Sequence, residues 1–136
     1  MKIALDVMGG DNAPQSNILG VKRFLNSNQS AKIVLVGDES IIKEQIKIHN
    51  IKNLNRIEIH NCTDIVTMDE PKPSMAFKTK PDNSIVQSVK LVKEGFADAV
   101  ISAGNTAALL SSSLFVLGKI EGIKRPTLAT YFPSRK

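Results

Sequence analysis

Apolar and polar positions change rhythm along this chain in a way that separates short strands from helices. Lys2–Met8 is a brief run rich in Ile, Leu and Val, closed by the pair Gly9-Gly10, and reads as a buried strand. Pro14 suits a first helical turn, and Ile18, Leu19, Val21 and Leu25 then recur on one face until Asn26-Ser27-Asn28. Lys32–Val36 repeats the strand signal and stops at Gly37-Asp38. From Glu39 to about His49, Ile41, Ile42, Ile46 and Ile48 fall at helical spacing, with Glu39 placed to favour the helix dipole. Arg56–His60 alternates Ile57 and Ile59 with polar neighbours and predicts a third strand.

The rhythm fails between Thr63 and Pro81, where Pro71, Pro73 and Pro81 crowd together. This stretch predicts a long connection with one short helical turn around Met75–Phe77, and connections of that length inside compact domains are often functional. Asp82-Asn83-Ser84 then starts a helix whose apolar stripe is Ile85, Val86, Val89 and Val92, ending at Gly95. Ala97–Ser102 predicts a fourth strand, and Thr106–Leu117 a helix so poor in polar residues that most of its circumference should be buried. After Gly118, Gly122 and Pro126, Thr127–Phe132 predicts a fifth strand. Strands and helices alternating in this order imply an α/β fold with a largely parallel sheet and right-handed crossovers. The ligand-bearing loops of such sheets lie at the carboxyl ends of the strands.

Composition narrows the chemistry. The 136 residues are 42% hydrophobic and 23% charged, which suits one domain with a core and excludes wholesale disorder. No linker-like stretch divides the chain, so no internal boundary is expected. A single cysteine, Cys62, excludes an internal disulfide, and His49 and His60 give little material for a metal centre; no metal and no cofactor is expected. A net charge of +5 favours anionic partners. Aromatic residues make up only 4%, too few for a base-stacking platform, so nucleic acid is not an expected partner. The N-terminus lacks the apolar stretch of a signal peptide, and the expected location is the cytoplasm. Ala97–Gly118 carries one charge, Asp98, but Gly104-Asn105-Thr106 breaks it into strand, turn and helix rather than a membrane span.

Two strand-to-loop junctions could carry chemistry. In Asp6-Val7-Met8-Gly9-Gly10-Asp11-Asn12-Ala13-Pro14, paired glycines let the backbone turn sharply and present amides to an anion, while Asp6 and Asp11 could orient a donor or hold a cation. The alternative is a plain tight turn in which Asp11 or Asn12 caps the next helix. In Ser102-Ala103-Gly104-Asn105-Thr106, helix amides and the side chains of Ser102, Asn105 and Thr106 form a candidate cradle for phosphate or an oxyanion. Here the alternative is that Asn105 or Thr106 is only an N-cap. Lys78 and Lys80 could neutralise a phosphate or simply be solvated, and Cys62 reads as a core residue rather than a nucleophile. Neither the G-x-G-x-x-G nor the P-loop fingerprint is present, which weakens a nucleotide-binding dehydrogenase reading.

Ile3–Pro14, Leu35-Val36-Gly37-Asp38-Glu39, Val92-Lys93-Glu94-Gly95 with Ala97-Asp98-Ala99, Ser102–Thr106, Leu114–Gly118 and Gly122–Pro126 together closely resemble the bacterial phosphate acyltransferases of the PlsX type. The resemblance runs through the whole chain in order. It implies a three-layer αβα fold like that of isocitrate and isopropylmalate dehydrogenases and related to phosphotransacetylases. It further implies transfer of a fatty acyl group from acyl carrier protein to inorganic phosphate, giving an acyl phosphate. A membrane acyltransferase would use that product to acylate glycerol 3-phosphate in phospholipid synthesis. A homodimer, and contact with the inner face of the membrane, belong to the same expectation.

Carried onto these positions, the resemblance places Ser102, Asn105 and Thr106 as the reacting cradle with Gly104. Gly9, Gly10 and Asp11 form the facing wall, and Lys78, Lys80 and Ser84 hold phosphate. Three positions depart from the family pattern: Asn12 stands where His is common, Ala107 replaces a usual glycine, and Asn83 a usual serine. Family members run to roughly twice this length or more, so residues 1–136 are expected to be the N-terminal portion of a single larger acyltransferase domain. A truncated, non-catalytic chain that only binds acyl carrier protein or a full-length partner is the competing expectation.

Overall fold

The two most apolar runs, β1 (Lys2–Asp6) and β2 (Lys32–Gly37), lie side by side in parallel with Ile3 opposite Ile33 and Leu5 opposite Leu35. The computed structural model describes residues 1–127 and 129. β3 (Ile57–Asn61) joins the far side of β2, and β4 (Ala99–Ser102) joins the far side of β1, giving the order β3-β2-β1-β4 with every pair parallel. The strand expected over Thr127–Phe132 lies outside the described residues.

Alternation along the strands sends side chains to two different layers. On one face Ile33 and Leu35, with Leu5, Ile57 and Ile59 against them, pack under α1 (Gln15–Ser27) and α2 (Glu39–Ile48) through Ile18, Val21, Leu25 and Ile42. On the other face Ala4, Val34 and Val36 meet Leu91 of α4 (Ser84–Lys93), Ala97 and Cys62. The result is the expected three-layer arrangement.

Local chemistry sets the helix ends. The Asp38 carboxylate accepts from Ile41 N at 3.0 Å to start α2, and the Asn83 side chain accepts from Val86 N at 3.0 Å to start α4. Gly95, at φ +73°, closes α4 with Phe96 N donating back to Leu91 O at 2.9 Å, a left-handed cap that a side chain would strain. Pro14 stands one place before the first turn of α1 rather than in it, and no side chain of the preceding loop caps that helix.

The proline-rich connection folds as a closed loop. Asp82 accepts from Thr63 N at 2.9 Å and Thr63 Oγ1 at 2.8 Å, tying its two ends together. Those hydrogen bonds, the hydroxyl first, hold the Asp82 carboxyl below the usual range. Inside the loop a tight turn at Pro73–Met75 leads into α3 (Ala76–Thr79), one residue from where the helical turn was expected. Val66 and Ala76 then pack with Ile85 and Ala108, so the loop is seated on α4 and α5 (Thr106–Ser112).

One expectation needs correction. The helix at 106–117 continues past Ser112 as a π-helical turn, Ser113–Leu117, and much of its surface is open, with Phe115 63% exposed. Apolar composition marks a surface that favours cover; within the described residues, only Ala108, Ser111 and Ser112 of this helix are buried.

Candidate functional site

β1 and β4 are neighbours with Asp6 opposite Ser102, so the loops leaving their carboxyl ends start side by side. The glycines then bring the two backbones into contact. A Cβ on Gly9 would stand 2.8 Å from the Cα and N of Gly104, and one on Gly104 would stand 3.1 Å from the Cα of Gly9. Gly10 has φ +105°, and a Cβ there would meet the Ala103 carbonyl oxygen at 3.2 Å. Convergence of the two junctions is thus a property of the fold.

Asp6 organises this contact from below. Its carboxylate is fully buried and accepts from Met8 N at 3.1 Å and from the Ser102 hydroxyl at 2.7 Å. Ser102 Oγ in turn accepts from Gly104 N at 3.0 Å. Ser102 therefore links the two loops, with its proton turned inward to Asp6. Asn17 fixes the first loop from the other side, its amide donating to Val7 O at 2.9 Å and Gly9 O at 2.8 Å. Among the described residues, the N–H groups of Gly10 and Thr106 have no protein acceptor. The Thr106 N–H, at the start of α5, is a donor of the kind that suits an anion, and Gly10 N–H lies in the facing loop.

Asn105 is 8% exposed, and both ends of its amide are engaged. Its oxygen accepts from Ala107 N at 3.1 Å and Ala108 N at 3.2 Å, capping α5. Its nitrogen donates to Met68 O at 3.3 Å and Thr67 O at 3.4 Å, which tethers the proline-rich loop to the cradle. Thr106 and Asp11 are exposed beside these elements. Asp11 and Asn12 do not cap α1, so the plain-turn alternative for this loop lacks its capping bond.

The three residues expected to hold phosphate are placed differently from one another. Lys80 is braced inside its loop, with Nζ 2.5 Å from Glu70 Oε2 and 3.2 Å from Ile65 O. Lys78 is exposed, its ammonium 5.7 Å from the Phe77 ring centre. Ser84 is buried in the first turn of α4. The shared loop and its tether through Asn105 relate them to the glycine contact.

Cys62 is 2% exposed, and its thiol is pushed up to about 12, chiefly by burial and then by Asp82, Asp6, Asp38 and Asp64. A thiol so placed is protonated at neutral pH and is not a nucleophile. The unfolded thiol ionises near 9.0 while the buried one keeps its proton to about 12, so stability is expected to fall as pH rises through that window. The slope is at most about 1.4 kcal/mol per pH unit. Urea unfolding of the unaltered and Cys62→Ala chains across the window checks this: the slope should be shallower without the thiol. His60 meets Gln87 at 3.3 Å, and His49 is half-buried at the end of α2. Among the described residues no three His, Cys, Asp or Glu side chains are placed to hold a metal ion, and no helix is long and apolar enough to cross a membrane.

In the sequence Asp6 is one of two carboxylates near the glycine pair; its place opposite Ser102 makes it the link between the junctions. The usable signal is a carboxylate closing an apolar strand run, which folding leaves buried only with partners.

The family of fatty acid synthesis proteins matches residues 1–136. A phosphate acyltransferase of Caldicellulosiruptor saccharolyticus is 44% identical over 133 residues, covering 98% of this chain and 39% of that one. A phosphate acyltransferase of Clostridioides difficile is 43% identical over 136 residues, covering 100% of this chain and 39% of its own length. The chain thus spans about two-fifths of the length of the curated relatives it matches. Among solved structures, the EutD phosphotransacetylase from Staphylococcus aureus superposes with a TM-score of 0.61 at 20% identity, over 92% of this chain and 40% of that one, and shares its fold.

Proposed function

The chain belongs to the fatty acid synthesis protein family, and on that footing we propose that it forms the N-terminal part of a phosphate acyltransferase. The observation that carries this reading is the contact of Gly9 and Gly104, which puts two strand-end loops and the start of α5 around one point. The acyl donor is acylated acyl carrier protein and the acceptor inorganic phosphate. An oxygen of hydrogen phosphate attacks the thioester carbonyl carbon; a C–O bond forms, the C–S bond breaks, and the leaving thiolate takes up the proton that the phosphate gives up. The product is an acyl phosphate.

Since phosphate itself is the nucleophile, the protein's task is to position it and to stabilise the oxyanion that develops on the carbonyl. Gly10 N–H and the N–H and hydroxyl of Thr106 supply donors, and Lys78 supplies the ammonium on the facing loop. Gly9 and Gly104 allow the close approach, with Asp11 on the outer wall. Asp6, Ser102 and Asn105 act through the backbone they fix: the first two join the loops, and Asn105 caps the helix while holding the loop that bears Lys78. Lys80 and Ser84 hold that loop and the start of α4. The net charge of +5 suits an acidic carrier protein. A homodimer in the cytoplasm, passing acyl phosphate at the inner membrane face to the acyltransferase that acylates glycerol 3-phosphate, completes the reading.

The test is incubation with palmitoyl-acyl carrier protein and phosphate, with acyl phosphate followed by mass spectrometry. Phosphate-dependent product is the expected result; carrier binding without product, beside an active longer relative, would favour the truncated, non-catalytic reading. Asn105→Ala should lower stability by about 1 kcal/mol through loss of its cap. Phosphate affinity by calorimetry should fall with it, while Asn105→Ser, which retains a capping oxygen without setting a carboxylate against the Met68 and Thr67 carbonyls, should recover part of the stability.

A further inference from the structure

α1 carries a glycine in its middle that nothing in the described structure requires. Gly20 is helical and exposed, and a Cβ built on it would meet no atom within 4 Å. Glycine is the poorest helix former apart from proline, so an open position of this kind would ordinarily favour a side chain. Beside it runs an apolar groove of about 250 Å³ between α1 and the sheet, lined by Leu5, Ser16, Phe24, Ile33 and Ile101. Its other wall is β4, where Ile101 lies in register with Leu5 and is 52% exposed.

A parallel sheet is ordinarily covered by helices on both faces. On the opposite face α4 packs against β1, β2 and β4, but on this face α1 and α2 reach only the side of the sheet holding β1, β2 and β3. The strip over β4 is therefore one helix short. Ser16 and Gly20, one turn apart, give α1 a low ridge there, the kind that lets a second helix approach closely. The relatives supply the material, for this chain accounts for only 39% of the Clostridioides difficile protein and 40% of the structural neighbour.

We propose that the groove between α1 and β4 is the seat of a helix from the polypeptide that the longer relatives carry beyond this region, packed with its backbone close to Gly20. The surface is independent of the glycine contact and of the proposed acyl transfer. The occupant is a protein helix with an apolar face, and its small-residue contact is what keeps position 20 free of a side chain.

The experiment compares Gly20→Leu in two settings. One is the 136-residue chain by itself. The other is a chimera in which this chain continues into the Clostridioides difficile relative beyond its matched region. Alone, the substitution fills open space and improves the helix, so Tm should rise by about 3 °C. In the chimera the same substitution should lower Tm, with Gly20→Ala lowering it less. Hydrogen exchange over residues 99–103 should be slower in the chimera than in the isolated chain. A rise of equal size in both settings, or equal exchange, overturns the proposal. So does a fall in the isolated chain that grows with protein concentration, which would assign the groove to a second copy. A chimera that does not fold with Gly20 in place counts against the seat as well.

Discussion

Gly9→Ala is expected to lose about 3 kcal/mol of stability and all measurable phosphate binding, the largest effect of any single methyl in the chain. The added Cβ would stand 2.3 Å from Asp6 Oδ2 and 2.8 Å from the Gly104 backbone. None of these neighbours is the loose end of a side chain: one belongs to a fully buried carboxylate held by two donors, the others to the facing main chain. Relief requires β1 and β4 to part at their carboxyl ends, breaking the contact that forms the cradle. Urea unfolding measures the first effect and calorimetry with inorganic phosphate the second. Gly20→Ala is the control, because a Cβ there meets nothing within 4 Å; unfolding midpoints that fall alike for both variants would refute this account of Gly9.

Asp6→Ala comes next, at roughly 3 kcal/mol, since it leaves the Ser102 hydroxyl and the Met8 amide without their acceptor in a buried setting. Asp6→Asn separates packing from charge. It keeps an oxygen for Met8 and presents an amide to Ser102 Oγ, which already accepts from Gly104 N at 3.0 Å. The hydroxyl proton of Ser102 is then free to turn outward. Asp6→Asn is accordingly expected to lose about 1 kcal/mol while phosphate affinity changes independently of stability. If the Asn and Ala chains unfold at the same denaturant concentration, the hydrogen bonds of Asp6 are not what joins the loops.

Much of this was legible in the chain. Ile, Leu and Val runs closed by glycine marked β1 to within two residues and β2 to within one, because a strand buried on both faces has little freedom in composition. Asn83 and Gly95 marked the ends of α4, because each does a job that few residues can do. β4 begins at Ala99 rather than Ala97, since Ala97 is buried against Leu91 and Asp98 pairs with Lys2 N at 2.7 Å, contacts that no local pattern contains. The role of Asn105 was legible as two alternatives, ligand contact or cap, and its hydrogen bonds engage it in the cap. The same limit hid the link between Asp6 and Ser102, which lies in neither strand alone.

That link also sets an order of events. The residues that meet at the cradle are 96 positions apart, as are Lys2 and Asp98 at the opposite end of the same strand pair. Closing so long a loop is slow compared with forming the local β1–α1–β2 unit, whose strands need only about thirty residues. During synthesis from the N-terminus the first glycine loop therefore waits, formed on one side only, until β4 has been made and inserted at the edge of β1. If the proposed cradle takes up phosphate, that binding comes late in the folding of the described sheet, and phosphate, by holding β4 against β1, would favour this step of assembly.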